Sequence, residues 1–414
     1  MKNAPHLFSP LILPNGTVIP NRLAKASMEE NLCDADHAPG LALCQLYRRW
    51  ADGGAGLILT GNVMVDHRAL TGPGGVVLED DRHIDRFRRW AAAASAGGAQ
   101  VWMQINHPGR QVMAALGQPA WAPSPVPLQI AGLKGAFAEP REMTPDDIES
   151  VIARFVRTAE LAHEAGFHGV QVHAAHGYLI SQFLSPVSNQ RQDGWGGPLP
   201  QRARFLLSVV RTIRERLPRR FSVAVKLNSA DFQRGGFTLA EARQVLEWLN
   251  DLDVDLVELS GGNYESPAMR GLPAEGSTGR REAYFAQFAQ ELLPAARMPL
   301  MVTGGIRRRA VAEEVLGQGI AMVGMATALA ALPGLPHAWR ERRDVTAPEV
   351  FVPWSNKAFA AAAASAIVKQ QLTQLSRGRL RVSAAPAWRA LLCDQIRTRA
   401  LSRRYRRWAG LRTT

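Results

Sequence analysis

The sequence is poor in several features that would define simpler classes of protein. It has three cysteines in 414 residues, Cys33, Cys44 and Cys393, and their spacing contains no CxxC pair. This count and spacing argue against a disulfide framework and against zinc or iron–sulfur binding. No apolar stretch reaches the roughly 18 residues that a membrane-spanning helix needs. Pro and Gly interrupt the initial MKNAPHLFSPLILPNG, where a signal peptide would have a helical apolar core. We therefore expect a cytoplasmic protein with no metal site and no transmembrane segment.

A glycine-rich dinucleotide fingerprint, GxGxxG between a first strand and a first helix, is also missing. The chain has instead eight short aliphatic or β-branched runs, each followed by a longer stretch of helical pattern. These runs are RLAKAS, GLILTGNVMV, QVWMQIN, HGVQVHA, SVAVKLN, VDLVELSGG, PLMVTGG and IAMVGMA. Eight strand and helix repeats predict an α/β fold whose parallel sheet closes on itself, the (β/α)8 or TIM barrel, in preference to an open doubly wound sheet.

Polar residues alternate with aliphatic residues in several of these runs. In HGVQVHA the valines fall on one face and Gln171 and His173 on the other, and Lys226 and Ser260 alternate with aliphatic residues in the same way. The aliphatic face suits a surrounding layer of helices, so the polar face should line the barrel. Active sites of such barrels lie at the carboxyl ends of the strands, where we expect one here. The Pro- and Gly-rich residues 119–143 predict an irregular loop over that end.

The helices between the strands are predicted from their apolar spacing and their end signals. The clearest is TPDDIESVIARFVRTAELAHEAGF, in which apolar residues recur at helical spacing. Thr144 is the expected N-cap, Pro145 the first helical residue and Gly166 the end of the helix. Such a helix packs against the outside of a barrel strand.

The formal net charge of +13 is concentrated near the end of the chain. Within residues 346–414, thirteen Lys or Arg face two acidic residues, a balance of +11, so residues 1–345 are close to neutral. We predict a barrel domain over 1–345 and a basic extension of two or three helices over 346–414. A charged helix packed on the barrel, or paired with an acidic partner subunit, explains this composition better than nucleic acid binding. Contact of the basic extension with nucleic acid or an acidic membrane is the alternative.

One long stretch resembles a known enzyme family. VQVHAAHGYLISQFLSPVSNQRQDGWGGPLPQRARFL, residues 170–206, is similar nearly position for position to the signature of the Old Yellow Enzyme and NADH:flavin oxidoreductase family. Similar pieces lie in order around it: PNRLAKASMEEN, GLILTGNVMVD, QINHPGR, VAVKLNSADFQRGGFT and VTGGIRRRAVAEEVL. The resemblance implies a TIM-barrel enzyme that binds FMN, takes electrons from NADH or NADPH and reduces the activated C=C bond of a small electron-poor alkene. The resemblance is also compatible with a homo-oligomer.

The resemblance implies catalytic roles for three residues. His173 and His176 match the histidine pair that donates hydrogen bonds to the carbonyl or nitro oxygen of the alkene. Donors at this place stabilise the negative charge that develops when hydride reaches the β-carbon. Tyr178 matches the tyrosine that protonates the α-carbon, and a phenol with an ordinary pKa near 10 holds its proton at neutral pH. A metal site or a structural role is the alternative for the histidines, and ordinary packing is the alternative for the tyrosine.

The resemblance also implies which positions bind FMN. Gln104 would meet the pyrimidine edge, and Lys226 stands where the family usually has Arg, a cation that suits the reduced flavin. Gly304 and Gly305 resemble the phosphate-binding turn that follows the seventh strand. The expected flavin contacts are Ala26, Ser27, Met28, Gly61, Gln104, Lys226, Gly304, Gly305, Ala326 and Thr327.

Two positions depart from the family pattern. Glu29 stands where many relatives carry Cys or Thr, and its segment ASMEE resembles a subset with an A-x-M-E-E pattern. After the last strand, the family has an Arg that grips the FMN phosphate, whereas here Ala326 is followed by Thr327. Losing one charge-assisted contact costs about 1.5 to 3 kcal/mol, which Arg307 or Arg308 beside the glycine turn could offset. The alternative for these two arginines is a solvated basic turn. The alternative function is a barrel that has lost tight flavin binding and serves as a ligand-binding or scaffold protein.

Overall fold

A closed barrel of eight parallel strands forms the centre of the protein. The computed structural model describes residues 6–130, 133–266, 283, 285–379 and 386–411. The barrel strands are β1 (Leu23–Lys25), β2 (Leu57–Leu59), β3 (Gln100–Asn106), β4 (Gly169–Ala174), β5 (Ser222–Asn228), β6 (Leu256–Ser260), β7 (Leu300–Thr303) and β8 (Met322–Met325). Each strand pairs with the next in parallel, and β8 pairs with β1. The predicted TIM barrel and its eight strands are confirmed.

Helices follow the strands and cover the outside of the barrel. They are α1 (Leu41–Ala51), α2 (Ile84–Ser95), α3 (Pro145–Glu164), α4 (Leu179–Leu184), α5 (Leu199–Arg216), α6 (Leu239–Asn250), α7 (Ala286–Leu292), α8 (Arg309–Gly317), α9 (Thr327–Ala331), α10 (Leu335–Arg340), α11 (Lys357–Leu375) and α12 (Ala387–Trp408). Helix α3 begins as predicted, because the Thr144 side chain accepts a hydrogen bond from the Asp147 backbone N–H and the Asp147 side chain accepts one from the Thr144 backbone N–H. These two bonds satisfy N–H groups that the first helical turn leaves unpaired.

Side chains that point into the barrel form an apolar layer and a polar layer. The apolar layer lies towards the amino ends of the strands, where the N-terminal Leu11, Leu13 and Ile19 join the same buried cluster. Its barrel members are Ala24, Leu57, Leu59, Trp102, Ala224, Leu256, Met301 and Met322. Because alternate residues of a strand share a face, the inward positions two residues further along are Gln104, Lys226, Glu258 and Thr303. The polar layer therefore lies beneath the carboxyl ends of the strands.

The segment 119–143 is more regular than its composition predicts. Strand Ala120–Ala122 pairs with strand Pro140–Glu142, so the prediction of irregular structure is wrong at both ends of the segment. The guanidinium of Arg191 donates to the backbone carbonyls of Pro123 and Met143, at 2.9 and 2.7 Å. One buried side chain thus holds the two strands together.

The basic extension packs on the barrel through helix α12. Arg397 donates to the backbone carbonyl of Asn31 at 2.6 Å, and the Tyr405 hydroxyl donates to the carbonyl of His67 at 2.9 Å. The ring of Trp408 lies 4.3 Å from the ring of His37, measured between centroids. These partners belong to the loops after β1 and β2, at the same end of the barrel as the polar layer. Across the described residues, no helix has the length and hydrophobicity required to cross a membrane.

Candidate active site

A cavity of about 120 Å³ lies at the carboxyl ends of the barrel strands. Six of its eight lining residues are predicted site residues, and the other two come from the loops after β1 and β2. The lining consists of Ser27, Glu29, Asn62, Gln104, His173, His176, Tyr178 and Lys226. The fold thus gathers residues that are up to 199 positions apart, from Ser27 to Lys226, around one space.

A larger cavity of about 350 Å³ lies between the starts of α1 and α2, where Arg86 pairs with Asp34 and Asp36. Its lining contains none of the predicted site residues. We place the candidate site in the smaller cavity, because barrel enzymes use the carboxyl ends of their strands.

A chain of hydrogen bonds crosses the floor of the smaller cavity. The Ser27 hydroxyl donates to the Gln104 side-chain oxygen at 2.7 Å, and the Gln104 amide donates to Gln171 at 2.7 Å. The Gln171 amide donates in turn to the Glu258 carboxylate at 2.8 Å. This chain fixes the Gln104 amide with its oxygen towards Ser27 and its nitrogen towards the barrel centre.

Glu258 is the common acceptor of the polar layer. Its carboxylate accepts from the Lys226 ammonium at 2.8 Å and from the Thr303 hydroxyl at 2.7 Å, in addition to Gln171. The side chain is fully buried, and a buried carboxylate is stable only when such donors surround it. Lys226 also lines the cavity, so its positive charge faces any group bound there.

His173 is a neutral hydrogen-bond donor. Burial lowers the pKa of its imidazole well below the usual 6.5, and the charge of Lys226 lowers it further. The backbone N–H of Ala175 donates to Nδ1 of His173 at 3.2 Å. Because Nδ1 accepts, the single proton of the neutral ring resides on Nε2. The ring can therefore donate one hydrogen bond to an acceptor through Nε2.

His176 lies in a strained turn beside His173. Its φ of 62° is in the left-handed region, and the backbone N–H donates to the Asn228 side chain at 3.1 Å. Nε2 of His176 is 2.7 Å from the Ser260 hydroxyl, and the two histidine ring centroids are 5.0 Å apart. The next residue, Gly177, has a φ of 73°, and a Cβ at this position would lie 2.7 Å from Cβ of Asn263. The turn therefore requires glycine at position 177.

Tyr178 is a buried phenol that keeps its proton. Asn62 lies beside its side chain in the cavity lining, and its hydroxyl oxygen lies 3.1 Å from the hydroxyl oxygen of Tyr264. Burial is the largest cause that raises the pKa of Tyr178 well above the usual 10.0, and the nearby Glu29 charge adds to it. A phenol in this state can give a proton to a strong base formed beside it, which is the property of a general acid.

Comparison with known proteins identifies the family. Residues 6–345 match the sequence model of the NADH:flavin oxidoreductase / NADH oxidase family. The chain belongs to this family. It is an NAD(P)H:flavin oxidoreductase, and FMN is its cofactor.

Individual relatives agree with this assignment. The NADH-dependent flavin oxidoreductase iliE of Hypocrea jecorina (strain QM6a) is 35% identical over 378 residues, covering 84% of this chain and 94% of that protein. The NADH oxidase of Thermoanaerobacter brockii is 35% identical over 353 residues, covering 83% of this chain and 52% of that protein. A solved complex of 2-naphthoyl-CoA reductase with 2-naphthoyl-CoA has a TM-score of 0.76 and 28% identity, covering 83% and 53%. Morphinone reductase, at 23% identity, a TM-score of 0.70 and coverage of 84% and 92%, supports the fold alone.

The polar residues of the cavity fit the flavin that this oxidoreductase uses. The pyrimidine edge of an isoalloxazine alternates carbonyl oxygens with ring nitrogens, and Gln104 offers both an amide donor and an amide oxygen. Lys226 would add a cation that favours the negative charge of the reduced ring. The hydrogen-bond chain from Ser27 to Glu258 holds both side chains in place.

The other predicted flavin contacts of the oxidoreductase lie beside the cavity and not in its lining. Gly305, with a φ of 64°, follows β7, and the exposed Thr327 begins α9 directly after β8. Because β7 and β8 are neighbours, the two turns lie at adjacent strand ends. Arg307, beside the glycine turn, lies 3.7 Å from the Glu349 carboxylate. The residues outside the lining are Ala26, Met28, Gly61, Gly304, Gly305, Ala326 and Thr327.

Gly61 has a packing role that the structure makes visible. Its backbone N–H donates to the Tyr47 hydroxyl at 2.8 Å, and this hydroxyl donates to Glu30 at 2.5 Å. Glu30 also pairs with the buried Lys25, whose pKa burial lowers to about 8. A Cβ at position 61 would lie 2.0 Å from the Glu30 carboxylate and 2.2 Å from the Met28 carbonyl. Glycine is therefore needed where this buried network meets the segment after β1.

One cluster outside the cavity has the residue types of a metal site. Ligand atoms of Asp66, His67 and Glu79 lie within 4.8 Å of one another. Arginine side chains already occupy this cluster: Arg68 lies 2.8 Å from Asp66, and Arg154 lies 3.3 Å from Glu79. The arginine charges neutralise the carboxylates, so the cluster is an ion-pair network of the loop after β2.

Sequence reasoning missed three residues of the site. Asn62 and Tyr264 lie in loops after β2 and β6, where no periodic pattern predicts a side-chain direction. Glu258 carried a usable signal, because it alternates with Val257 and Leu259 in VELS and shares the inward face of Ser260.

Proposed function

We propose that this oxidoreductase reduces a carbon–carbon double bond conjugated to a carbonyl or nitro group, with NADH or NADPH as electron donor. FMN bound against Ser27, Gln104 and Lys226 would supply the hydride-transfer chemistry that links the nicotinamide to the β-carbon of the alkene. The observation that carries the proposal is the composition of one cavity. Ser27, Gln104 and Lys226, which suit a flavin edge, share it with His173 and Tyr178, which suit an alkene acceptor.

The histidines would bind and polarise the acceptor. Hydride addition to the β-carbon moves negative charge to the carbonyl or nitro oxygen, and donors aimed at this oxygen stabilise the charge. His173 is held as a neutral ring with its proton on Nε2, and His176 lies beside it at a ring distance of 5.0 Å. A neutral donor polarises the oxygen without fully protonating it, so the α-carbon remains the site that takes up the proton.

Tyr178 would supply that proton. The enolate formed by hydride addition is a strong base at its α-carbon, and a phenol within reach can protonate it. The ring of Tyr178 lies 4.9 Å from the ring of His173, so the acid and the oxygen-binding group face the same small space. Addition of hydride to the β-carbon and of this proton to the α-carbon completes the reduction.

The relatives fit this substrate class. The 2-naphthoyl-CoA reductase structure contains 2-naphthoyl-CoA, an acyl thioester conjugated to unsaturated carbons. Among the curated relatives, iliE is named an NADH-dependent flavin oxidoreductase. We infer an electron-poor unsaturated carbonyl compound for this chain.

An anaerobic spectroscopic titration tests the proposal. The purified, FMN-loaded protein should be yellow, should bleach when NADH or NADPH is added, and should regain its colour when an enone such as 2-cyclohexenone follows. Identification of the saturated ketone as the product completes the test. Reduced protein that stays bleached with a panel of enones and nitroalkenes would overturn the proposed substrate class. Protein that remains colourless after incubation with FMN would favour the ligand-binding or scaffold alternative.

A further inference from the structure

The hydroxyl of Tyr178 has a second phenol as its neighbour. The hydroxyl oxygens of Tyr178 and Tyr264 lie 3.1 Å apart, within hydrogen-bond distance, and their ring planes are inclined at 70°. The two residues come from different loops, after β4 and after β6. Tyr178 is 6% exposed, whereas Tyr264 is half-buried and so lies closer to solvent.

Contacts at residues next to the two tyrosines hold the two loops together. The Gln111 side chain accepts a hydrogen bond from the Tyr264 backbone N–H at 3.3 Å and donates one to the His176 carbonyl at 3.0 Å. Asn263 packs so closely on Gly177 that a Cβ there would lie 2.7 Å away. Because the residues adjacent to each tyrosine are fixed to the opposite loop, the contact between the phenols is a built feature of the fold.

Other polar groups also face Tyr178: Asn62 lies beside its side chain, the Glu29 charge acts on it, and the neutral His173 ring lies 4.9 Å away. Asn62 and Glu29 are half-buried like Tyr264, but the Glu29 carboxylate already accepts a hydrogen bond from the Thr71 hydroxyl at 2.8 Å. An amide cannot supply a proton at neutral pH. A phenol can both donate its proton to a neighbouring phenolate and recover one from water.

We propose that Tyr264 is a relay residue that passes a proton from solvent to Tyr178 during each turnover. This inference rests on the proposed function, in which Tyr178 protonates the α-carbon. As the O–H bond of Tyr178 breaks and a C–H bond forms, the O–H bond of Tyr264 breaks and a new O–H bond forms at Tyr178. The Tyr264 phenolate then takes a proton from water, the hydroxide left behind passes to solvent, and no electrons are transferred in the relay. Tyr264 acts through Tyr178 and does not contact the alkene.

The test measures the oxidation of the reduced, FMN-loaded enzyme by 2-cyclohexenone in mixtures of H₂O and D₂O, under anaerobic stopped flow. Two protons move together in the wild-type enzyme, so a plot of the oxidation rate against the D₂O fraction should be curved. In Y264F only one proton moves, so the same plot should be linear. The rate should also fall roughly tenfold, because the forming phenolate loses a hydrogen bond to a charged group. Reduction of Y264F by the nicotinamide should keep the wild-type rate. This unchanged rate serves as the control that the variant is folded and holds its flavin.

Two further variants separate the relay from its alternatives. Phe137 contacts the Tyr264 ring at a centroid distance of 6.1 Å, so F137L disturbs the packing while both hydroxyls remain, and the curved dependence should persist. A curved dependence and a wild-type rate in Y264F, together with a slow Y178F, would overturn the relay and leave the proposed function intact. Reduced wild-type enzyme that enones do not oxidise, or a Y178F variant as fast as wild type, would overturn the proposed function and the relay with it.

Discussion

The ammonium nitrogen of Lys226 lies 2.8 Å from a carboxylate oxygen of Glu258, and neither side chain is more than 5% exposed. This pair occupies the centre of the polar layer, where Gln171 and Thr303 also donate to the carboxylate. Removing one member of a buried ion pair leaves the other charge without compensation, which costs far more than the loss of a surface pair. The stability of the barrel and the positive charge that lines the cavity therefore depend on the same contact.

We expect E258Q to lower the free energy of unfolding by about 3 to 5 kcal/mol, measured by urea denaturation of the FMN-loaded and FMN-free protein. The amide keeps the size of the side chain but cannot balance the Lys226 charge. The matched control is E313Q, because Glu313 forms a 2.8 Å pair with Arg309 on an exposed helix face. This control should change stability by less than about 1 kcal/mol. Equal losses in both variants would contradict the role assigned to Glu258.

Tyr178 should matter for only one half of the catalytic cycle. In Y178F, oxidation of the reduced enzyme by an enone should slow by about 10² to 10⁴, since the general acid is lost. Reduction by NADH or NADPH should keep the wild-type rate, because that step needs no proton from Tyr178. Y405F is the matched control, since Tyr405 is a buried tyrosine on α12 whose hydroxyl bonds His67 and Gln118 away from the cavity. An equal slowing of both half-reactions in Y178F would argue against its proposed role.

Position 327 offers a direct test of the phosphate site. If the turns after β7 and β8 hold the FMN phosphate, T327R should lower the dissociation constant for FMN by roughly ten- to a hundredfold, through one charge-assisted hydrogen bond. Quenching of flavin fluorescence measures this constant. T327Q has similar reach without the charge and should leave the affinity near wild type. Riboflavin, which lacks the phosphate, should bind T327R and wild type equally. Tighter binding of riboflavin to T327R would show that the new arginine does not act on the phosphate.

Buried histidines should make the protein less stable in mild acid. Burial lowers the pKa of His107 to about 4, whereas the unfolded chain has the ordinary value near 6.5. Between these two values the unfolded state binds a proton that the native state does not, so the free energy of unfolding falls as the pH falls from about 6.5 towards 4. Each such histidine contributes a slope of up to about 1.4 kcal/mol per pH unit.

The variant H107N isolates this contribution. The asparagine oxygen can replace Nδ1 of His107, which accepts from the Gly109 backbone N–H at 3.1 Å, but it does not titrate. Urea denaturation at several pH values between 7.5 and 4.5 should give H107N a shallower dependence than wild type. H163Q, at an exposed histidine, should retain the wild-type slope. An unchanged slope in H107N would show that His107 is protonated in the native state as readily as in the unfolded chain.

The barrel could be predicted from the sequence because its signals are local and repeated. Eight short aliphatic or β-branched runs each precede a helical pattern, and Thr144 sits where a helix cap is expected, so each element follows from its own residues. Alternation at β4 and β5 indicated that His173 and Lys226 point inward, and the family resemblance supplied Ser27, Gln104, His176 and Tyr178. Glu258 could also have been found in this way, since its inward position follows from its place in the strand.

The remaining features depend on contacts between distant residues. Tyr264 reaches the site because Gln111, 153 positions earlier, binds its backbone. The two short strands within 119–143 are held by Arg191, which follows them in the chain. In α12, Arg397 donates to the backbone carbonyl of residue 31. Every residue type has this carbonyl, so the identity of residue 31 gives no sign of the contact. Such contacts carry no pattern in the sequence, so the structure was needed to find them.

The attachment of α12 to the loops after β1 and β2 sets an order of events during synthesis. Asn31 and His67 are made long before their partners Arg397 and Tyr405, which lie 366 and 338 positions later in the chain. A nascent polypeptide can form its first strands and helices while it emerges, yet it cannot complete this end of the barrel until α12 has left the ribosome. The rim of the barrel is thus finished only after all eight strands have been made.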